Sequence, residues 1–423
     1  MDMRRADGLP RVVVTGVGVL SPLGIGAAAT WAAALAGTST AGPISLFDTT
    51  GFEVNFACEV PNFDPADFMD HKAGRRMERF SQLGVAAARL AVADANLPID
   101  GSTERIGVMV GSGVGGLDIF TKQAIVLNER GPDRVSPLFV PSMIANMAAA
   151  HISMQLGLRG PLACATTACA AGNHSLGEAT DQIRLGRADV MLAGGAEAAV
   201  TPIGIASFNS MKALSKRSHD PGHASRPFDT GRDGFVMGEA GAVLVLESLE
   251  HAVTRGANII CEVAGYGLSG DAHHITEPDP TGAGPARAMT MAMQDAGVTA
   301  AEIDYVNAHG TSTPVGDRAE VRVIGLALGA EQAARTPVSS TKSMHGHCLG
   351  AAGGLEGALT ALAIRDQRLP PTINLVDLDP DCASVDHIVN TARDAKVDVA
   401  ISNAFGFGGH NASICLTRFG RNL

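Results

Sequence analysis

Short runs of β-branched residues alternate along this chain with alanine-rich stretches in which apolar positions recur every three to four residues. The first pattern predicts strands and the second helices, and their alternation is that of strands joined by crossover helices in a largely parallel sheet. The class expected is therefore α/β. Val12-Val13-Val14-Thr15 predicts an early strand that runs into the Gly16-Val17-Gly18 turn. Further strands are expected at Arg105 to Val110 and at Ile303 to Ala308, each preceded by a helix, one ending at Ala93-Asp94-Ala95-Asn96 and the other at Gln294-Asp295-Ala296-Gly297.

The order of these elements repeats, which places a division near Ala257 and predicts two similar units, residues 1–257 and 258–423. Cys261-Glu262-Val263-Ala264-Gly265-Tyr266-Gly267 echoes Val12 to Gly18. A small-residue helix after Cys169 ends near Gly186-Arg187-Ala188-Asp189, and a similar one after His347 ends near Arg365-Asp366-Gln367. On that alignment Cys169 and His347 occupy equivalent helix starts. No charge block or low-complexity tract lies between the units, so they are expected to pack tightly.

A chain of 423 residues exceeds the size at which one core stops growing, in keeping with two units. Its net charge of −11 argues against nucleic acid as a partner, because phosphate binding rests on clustered Lys and Arg. The seven cysteines are odd in number and widely spread, which is not a disulfide framework. The N-terminus carries no signal-like apolar stretch, and no window approaches the roughly 18 apolar residues of a membrane span. These features predict a cytoplasmic protein with no membrane attachment.

Cys169 lies among small residues in Ala165-Thr166-Thr167-Ala168-Cys169-Ala170-Ala171-Gly172, with a helical pattern directly behind it. At a helix start the macrodipole favours a thiolate, and free backbone N–H groups can receive an oxyanion. His309 stands where a strand breaks into the hydroxyl-rich Gly310-Thr311-Ser312-Thr313 loop, and His347 follows Lys342-Ser343-Met344-His345-Gly346. Either histidine alone is more often structural; two of them with an elbow cysteine point to catalysis. Gly111-Ser112-Gly113-Val114-Gly115-Gly116 fits a dinucleotide-binding pattern, but the region about twenty residues on is a loop and not the acidic strand end such sites need. His345-Gly346-His347-Cys348 has no second ligand cluster near it in sequence, so no metal is expected.

The Thr-Ala-Cys elbow, Asn307-Ala308-His309-Gly310-Thr311-Ser312-Thr313-Pro314, Lys342-Ser343-x-x-Gly346-His347 and Phe405-Gly406-Phe407-Gly408-Gly409 together resemble the β-ketoacyl acyl-carrier-protein synthases. So does Ser225-Arg226-Pro227-Phe228-Asp229 with Arg232-Asp233-Gly234-Phe235-Val236, and the likeness leans toward the elongating synthase II type. The resemblance implies a thiolase-like fold, with two duplicated α/β halves in a layered α-β-α-β-α arrangement. It also implies a homodimer, no cofactor, and an acyl-carrier protein as partner. By the same resemblance Cys169 takes the acyl group, while His309 and His347 bind and decarboxylate the malonyl thioester. Backbone N–H groups of Cys169 and Phe407 hold the oxyanion, and Lys342 and Glu356 set the charge around His347. Thr311 and Thr313 correspond to pantetheine contacts, and Val114, Phe208 and Phe405 to the substrate pocket. An acidic carrier would need a local basic patch; Lys72, Arg75 and Arg76, clustered at helical spacing, are candidates for it, and Lys212 resembles a carrier contact of the family. His345 and Cys348 depart from the family pattern, where Thr or Ile and Leu are usual. A polyketide ketosynthase would keep the same three residues, whereas a chain-length-factor subunit would lack the nucleophile.

Overall fold

The computed structural model describes residues 2–99 and 101–421. Ten strands carry the architecture. They are β1 (Val12–Ser21), β2 (Ile106–Gly111), β3 (Leu162–Ala163), β4 (Val190–Glu197), β5 (Ala240–Ser248), β6 (Cys261–Gly270), β7 (Tyr305–Asn307), β8 (Pro337–Ser339), β9 (Val399–Gly406) and β10 (His410–Thr417). Six helices matter most: α1 (Arg79–Asp94), α2 (Leu117–Arg130), α3 (Ala171–Arg184), α4 (Ala283–Ala296), α5 (Pro314–Leu328) and α6 (Ala352–Asp366). The helix ends at Asp94 and Ala296 fall where the sequence pattern puts them, while β7 is shorter than Ile303 to Ala308.

The strands run β8-β7-β9-β10-β6 and then β1-β5-β4-β2-β3, two series in which each strand has its counterpart in mirrored order. They meet at β1 and β6, which pair antiparallel at only Val13↔Glu262 and Val14↔Cys261. Even the irregularities correspond. The β1–β5 ladder skips at Thr15 between Val14 and Gly16, and the β6–β10 ladder skips at Ala264.

All ten residues of β1 and all eight of β4 are buried, which is why they read as continuous apolar runs and not as alternation. Helices cover both faces. The α1 helix packs outside β1, β5 and β4, and α4 packs outside β6 and β10. Between the two strand series lie α3 and α6, giving the layered thiolase-like arrangement expected from the resemblance. Residues 352–364 of α6 are all buried, and a helix apolar on every side belongs inside. Glycine allows the two central helices to touch backbone to backbone. A Cβ on Gly172 would stand 2.3 Å from the Gly354 nitrogen, and one on Gly353 would stand 2.4 Å from the Asn173 nitrogen. The largest apolar cluster joins Val14, Leu176, Ala193 and Leu244 to Leu355 and Ile414, so the two series share one core.

Each central helix is entered through a tight 3-10 turn, Ala168–Ala170 before α3 and Leu349–Ala351 before α6. Both turns open on a left-handed residue, Ala168 at φ 50° and Leu349 at φ 46°. This register corrects the sequence alignment. The counterpart of Cys169 is Gly350, and His347 lies three residues before it, in the approach to the turn. Apolar spacing aligned the helices but could not register turns whose geometry is set by backbone contacts.

Candidate active site

Cys169 is the middle residue of its 3-10 turn, directly in front of α3. The turn opens on the left-handed Ala168, a conformation that costs a residue bearing a Cβ roughly 1–2 kcal/mol. Backbone N–H groups of Phe407 and of Cys169 itself face the sulfur, as an oxyanion hole requires. The sequence predicts a ready thiolate here, and the structure corrects that. Burial pushes the Cys169 thiol up to about 12, against the pull of Lys342 and the two N–H groups. The resting group is a thiol, so its proton must leave as the sulfur attacks.

His309 follows β7, and Glu320 of α5 pins it by accepting from the His309 and Gly310 N–H groups at 2.7 and 2.6 Å. His347 is held on both sides of its backbone: its N–H donates to the Val236 carbonyl at 2.7 Å, and its carbonyl accepts from Gly238 at 2.9 Å. The two imidazoles meet edge to face, with ring centroids 5.3 Å apart. A ring nitrogen of each and the Cys169 sulfur all lie within 4.8 Å of one another. Burial first, and then the charge of Lys342, hold both histidines well below the ordinary imidazole range. Both are therefore neutral.

Lys342 is fully buried and forms an ion pair with Glu356 of α6. Burial pushes the Glu356 carboxyl up to about 7, while Lys342 pulls it down. The Lys342 ammonium also donates to His309 Nδ1 at 3.4 Å. A neutral imidazole that accepts at Nδ1 carries its proton on Nε2, so His309 offers an N–H donor to a substrate oxygen.

Aromatic rings wall the site. Phe405 lies 5.8 Å from His309, and Phe208 lies 6.4 Å from Phe407 and 5.5 Å from Phe235. Phe235 packs edge-on against His347 at 5.2 Å, a contact for which the sequence reading assigned no residue. Thr311 and Thr313 share a hydroxyl contact of 3.1 Å in the loop after His309. Buried Asp317 shapes that loop by accepting from the Ser312 and Phe228 N–H groups. The sequence reading missed Asp317 and Glu320 as well; their signal was two carboxylates three apart at the start of a helix behind a catalytic-type histidine.

Other predicted residues lie further out. Val114 sits between β2 and α2 with 42% of its surface exposed. Lys72, Arg75, Arg76 and Lys212 are all exposed. Lys72 belongs to a single helical turn, His71–Gly74, with Arg75 at its C-terminal end. In the glycine-rich loop after β2 the Gly113 N–H donates to the Glu197 carboxylate at 2.6 Å, so the chain's own anion sits where a dinucleotide phosphate would have to bind.

The comparisons with known proteins agree with this geometry. Residues 10–252 match the description "Beta-ketoacyl synthase, N-terminal domain", and residues 260–376 match "Beta-ketoacyl synthase, C-terminal domain". A 3-oxoacyl-[acyl-carrier-protein] synthase 2 of Staphylococcus aureus is 49% identical over 97% of this chain and 98% of its own length. Among solved structures, the ishigamide ketosynthase/chain length factor superposes with a TM-score of 0.91 at 40% identity, over 97% of this chain and 100% of its own. A type II PKS acyl-carrier protein in complex with its ketosynthase bound to the hexaketide gives 0.89 at 34%, over 97% and 100%. An elbow cysteine between two neutral histidines, on a fold shared over nearly its whole length, places this chain in the β-ketoacyl synthase family.

Proposed function

We propose that this protein is an elongating 3-oxoacyl-acyl-carrier-protein synthase, which joins an acyl group on Cys169 to a malonyl thioester with loss of carbon dioxide. The observation that carries the reading is the neutral His309–His347 pair beside the Cys169 sulfur, with Lys342 keeping the His309 proton on Nε2. Loading comes first. The Cys169 sulfur attacks the acyl-carrier thioester, its proton leaves with the departing carrier thiol, and the N–H groups of Cys169 and Phe407 hold the oxygen of the intermediate.

Condensation follows on a malonyl thioester whose carbonyl oxygen accepts from the two imidazoles. Loss of carbon dioxide leaves an enolate on that oxygen, and donors pre-aimed at the developing charge lower the barrier. The enolate carbon then attacks the acyl-Cys169 carbonyl, a carbon–carbon bond forms, and the Cys169 thiolate departs and takes a proton from solvent. No step needs a metal or an organic cofactor.

The partner is an acidic acyl-carrier protein, met at Lys72, Arg75, Arg76 and Lys212, and the pantetheine arm passes Thr311 and Thr313. The working form is a homodimer. In support, α2 has no buried residue although it carries Phe120, Ile125 and Leu127, and the edge strand β3 is exposed. Free thiols at all seven cysteines fit a reducing, cytoplasmic setting.

The test is direct. Purified protein is given malonyl carrier and a ladder of acyl carriers, and products are read by mass. Chain extension by two carbons supports the proposal, and a protein that neither loads nor extends any acyl carrier refutes it. Repeated extension of one bound chain without reduction of the keto groups would point to polyketide assembly, the activity suggested by the solved-structure likenesses.

A further inference from the structure

The two 3-10 turns correspond in backbone but differ in what faces them. Strands β4 and β9 occupy mirrored places, and their registers put Glu197 where Gly406 stands. At the catalytic turn Gly406 has no side chain, and a Cβ there would lie 3.2 Å from the Cys169 nitrogen. That N–H stays open for a reacting oxygen. At the second turn Glu197 fills the equivalent space: its Oε2 accepts from Gly350, the counterpart of Cys169, at 3.2 Å.

The same carboxylate reaches the loop after β2. Oε2 accepts from the Gly113 N–H at 2.6 Å and Oε1 from the Ser112 hydroxyl at 2.9 Å. The Val114 N–H also points to it, and the Ser112 hydroxyl oxygen accepts from Gly115 at 3.0 Å. Glu197 is completely buried. Gly113 therefore lies wedged between the turns, and a Cβ on it would lie 3.4 Å from the Ala168 carbonyl oxygen, next to the nucleophile. No step of the mechanism above uses Glu197, yet a buried carboxylate with this many donors costs too much to be incidental.

We propose that Glu197 is a positioning residue for acyl-length selection, whose carboxylate occupies the second turn's anion hole and thereby clamps the Gly113–Val114 segment at the floor of the acyl pocket. This rests on the functional reading above and on Val114 lining the acyl pocket, as the family resemblance implies, where its size would limit chain length. Burial pushes the Glu197 carboxyl up to about 7 against the pull of these donors, and above that pH it is acceptor-only, as the N–H groups of Gly113, Val114 and Gly350 require. An amide of the same shape would turn an NH2 donor toward N–H groups that need an acceptor, and the segment would move away from the second turn and from the pocket.

The test uses the full-length protein and its Glu197→Gln and Glu197→Asp variants, with folding checked by circular dichroism and thermal melting. Two rates are read: acyl transfer onto Cys169 from short and long acyl carriers, and decarboxylation of malonyl carrier. E197Q is expected to raise the ratio of long- to short-chain loading about tenfold, the loss of one charge-assisted hydrogen bond, with decarboxylation changed by less than about twofold. E197D keeps the charge and should show a smaller change of that ratio. An unchanged ratio in E197Q, or equal losses in loading at every length and in decarboxylation, overturns the inference. If E197Q does not fold, E197D decides, and a parental ratio there overturns it. Failure of the parent protein to load any acyl carrier would instead refute the functional reading beneath it.

Discussion

At the scale of single residues, the proposed mechanism divides the reaction between the sulfur and the two imidazoles, and their variants should fail in different ways. Cys169→Ala is expected to abolish acyl loading, while Cys169→Gln, which imitates an acylated site, still decarboxylates malonyl carrier. His309→Ala and His347→Ala should load acyl groups yet lose decarboxylation by roughly a hundredfold or more each, since each removes one enolate donor worth about 3 kcal/mol. Mass spectrometry of the loaded protein and assay of released carbon dioxide separate the two steps; normal malonyl turnover in both histidine variants would refute their role. His345 makes a different prediction. It is fully buried, and burial, with Lys342 adding to it, lowers its pKa to about 3. The folded protein thus keeps it neutral where the unfolded chain, with a pKa near 6.5, binds a proton. Its contribution to stability is complete above about pH 6.5 and is lost as pH falls toward 3, at about 1.4 kcal/mol per pH unit. His345→Thr, the residue type usual in the family, should therefore be less sensitive to acid than the parent by roughly 2 kcal/mol between pH 7 and pH 5. Urea unfolding at both pH values checks this, and parallel losses in the two proteins would exclude it.

At the scale of elements, β2 leads through a largely buried loop into α2, a helix with no buried residue. Val114→Phe is expected to retain short primers and lose long ones, because a ring there overfills the end of the acyl channel. An unchanged length profile would remove Val114 from the pocket. Leu127, 51% exposed on α2, lies on the apolar surface assigned to the dimer contact. Leu127→Glu should shift the protein toward monomer in sedimentation velocity, since an unpaired charge in an apolar interface costs several kcal/mol. A monomeric parent protein would overturn the assignment of that surface.

The whole molecule carries a net charge of −11, which opposes encounter with an acidic carrier. Productive docking then depends on local basic groups. Reversing Arg75, Arg76 and Lys212 to Glu should raise the apparent KM for acyl carrier by about tenfold or more and weaken its salt dependence. Turnover of small acyl-thioester mimics should barely change. Equal losses with carrier and mimic would indicate damage to the fold or the active site instead, and would refute docking at these residues.

Much of this was legible in the linear chain because it rests on local chemistry. Apolar periodicity showed the α/β alternation and the helix ends, since burial of one face imposes its period on the residues that form it. The cysteine elbow and the two histidines stood out because small residues and hydroxyls must crowd around groups that a substrate approaches. What the chain could not show are quantities set by contacts between distant segments. The register that matches Cys169 with Gly350 depends on turns packed against strands far away in sequence. The thiol state of Cys169 depends on how completely the surrounding elements exclude water, a burial no local window contains. Phe235, Asp317 and Glu320 acquire meaning only where folding brings them against His347 and the His309 loop. Glu197 reads as an ordinary acidic strand end until tertiary packing closes four backbone and hydroxyl donors around it. Local propensity chose the elements and the reactive groups, and only long-range packing decided their protonation, their register and the supports behind them.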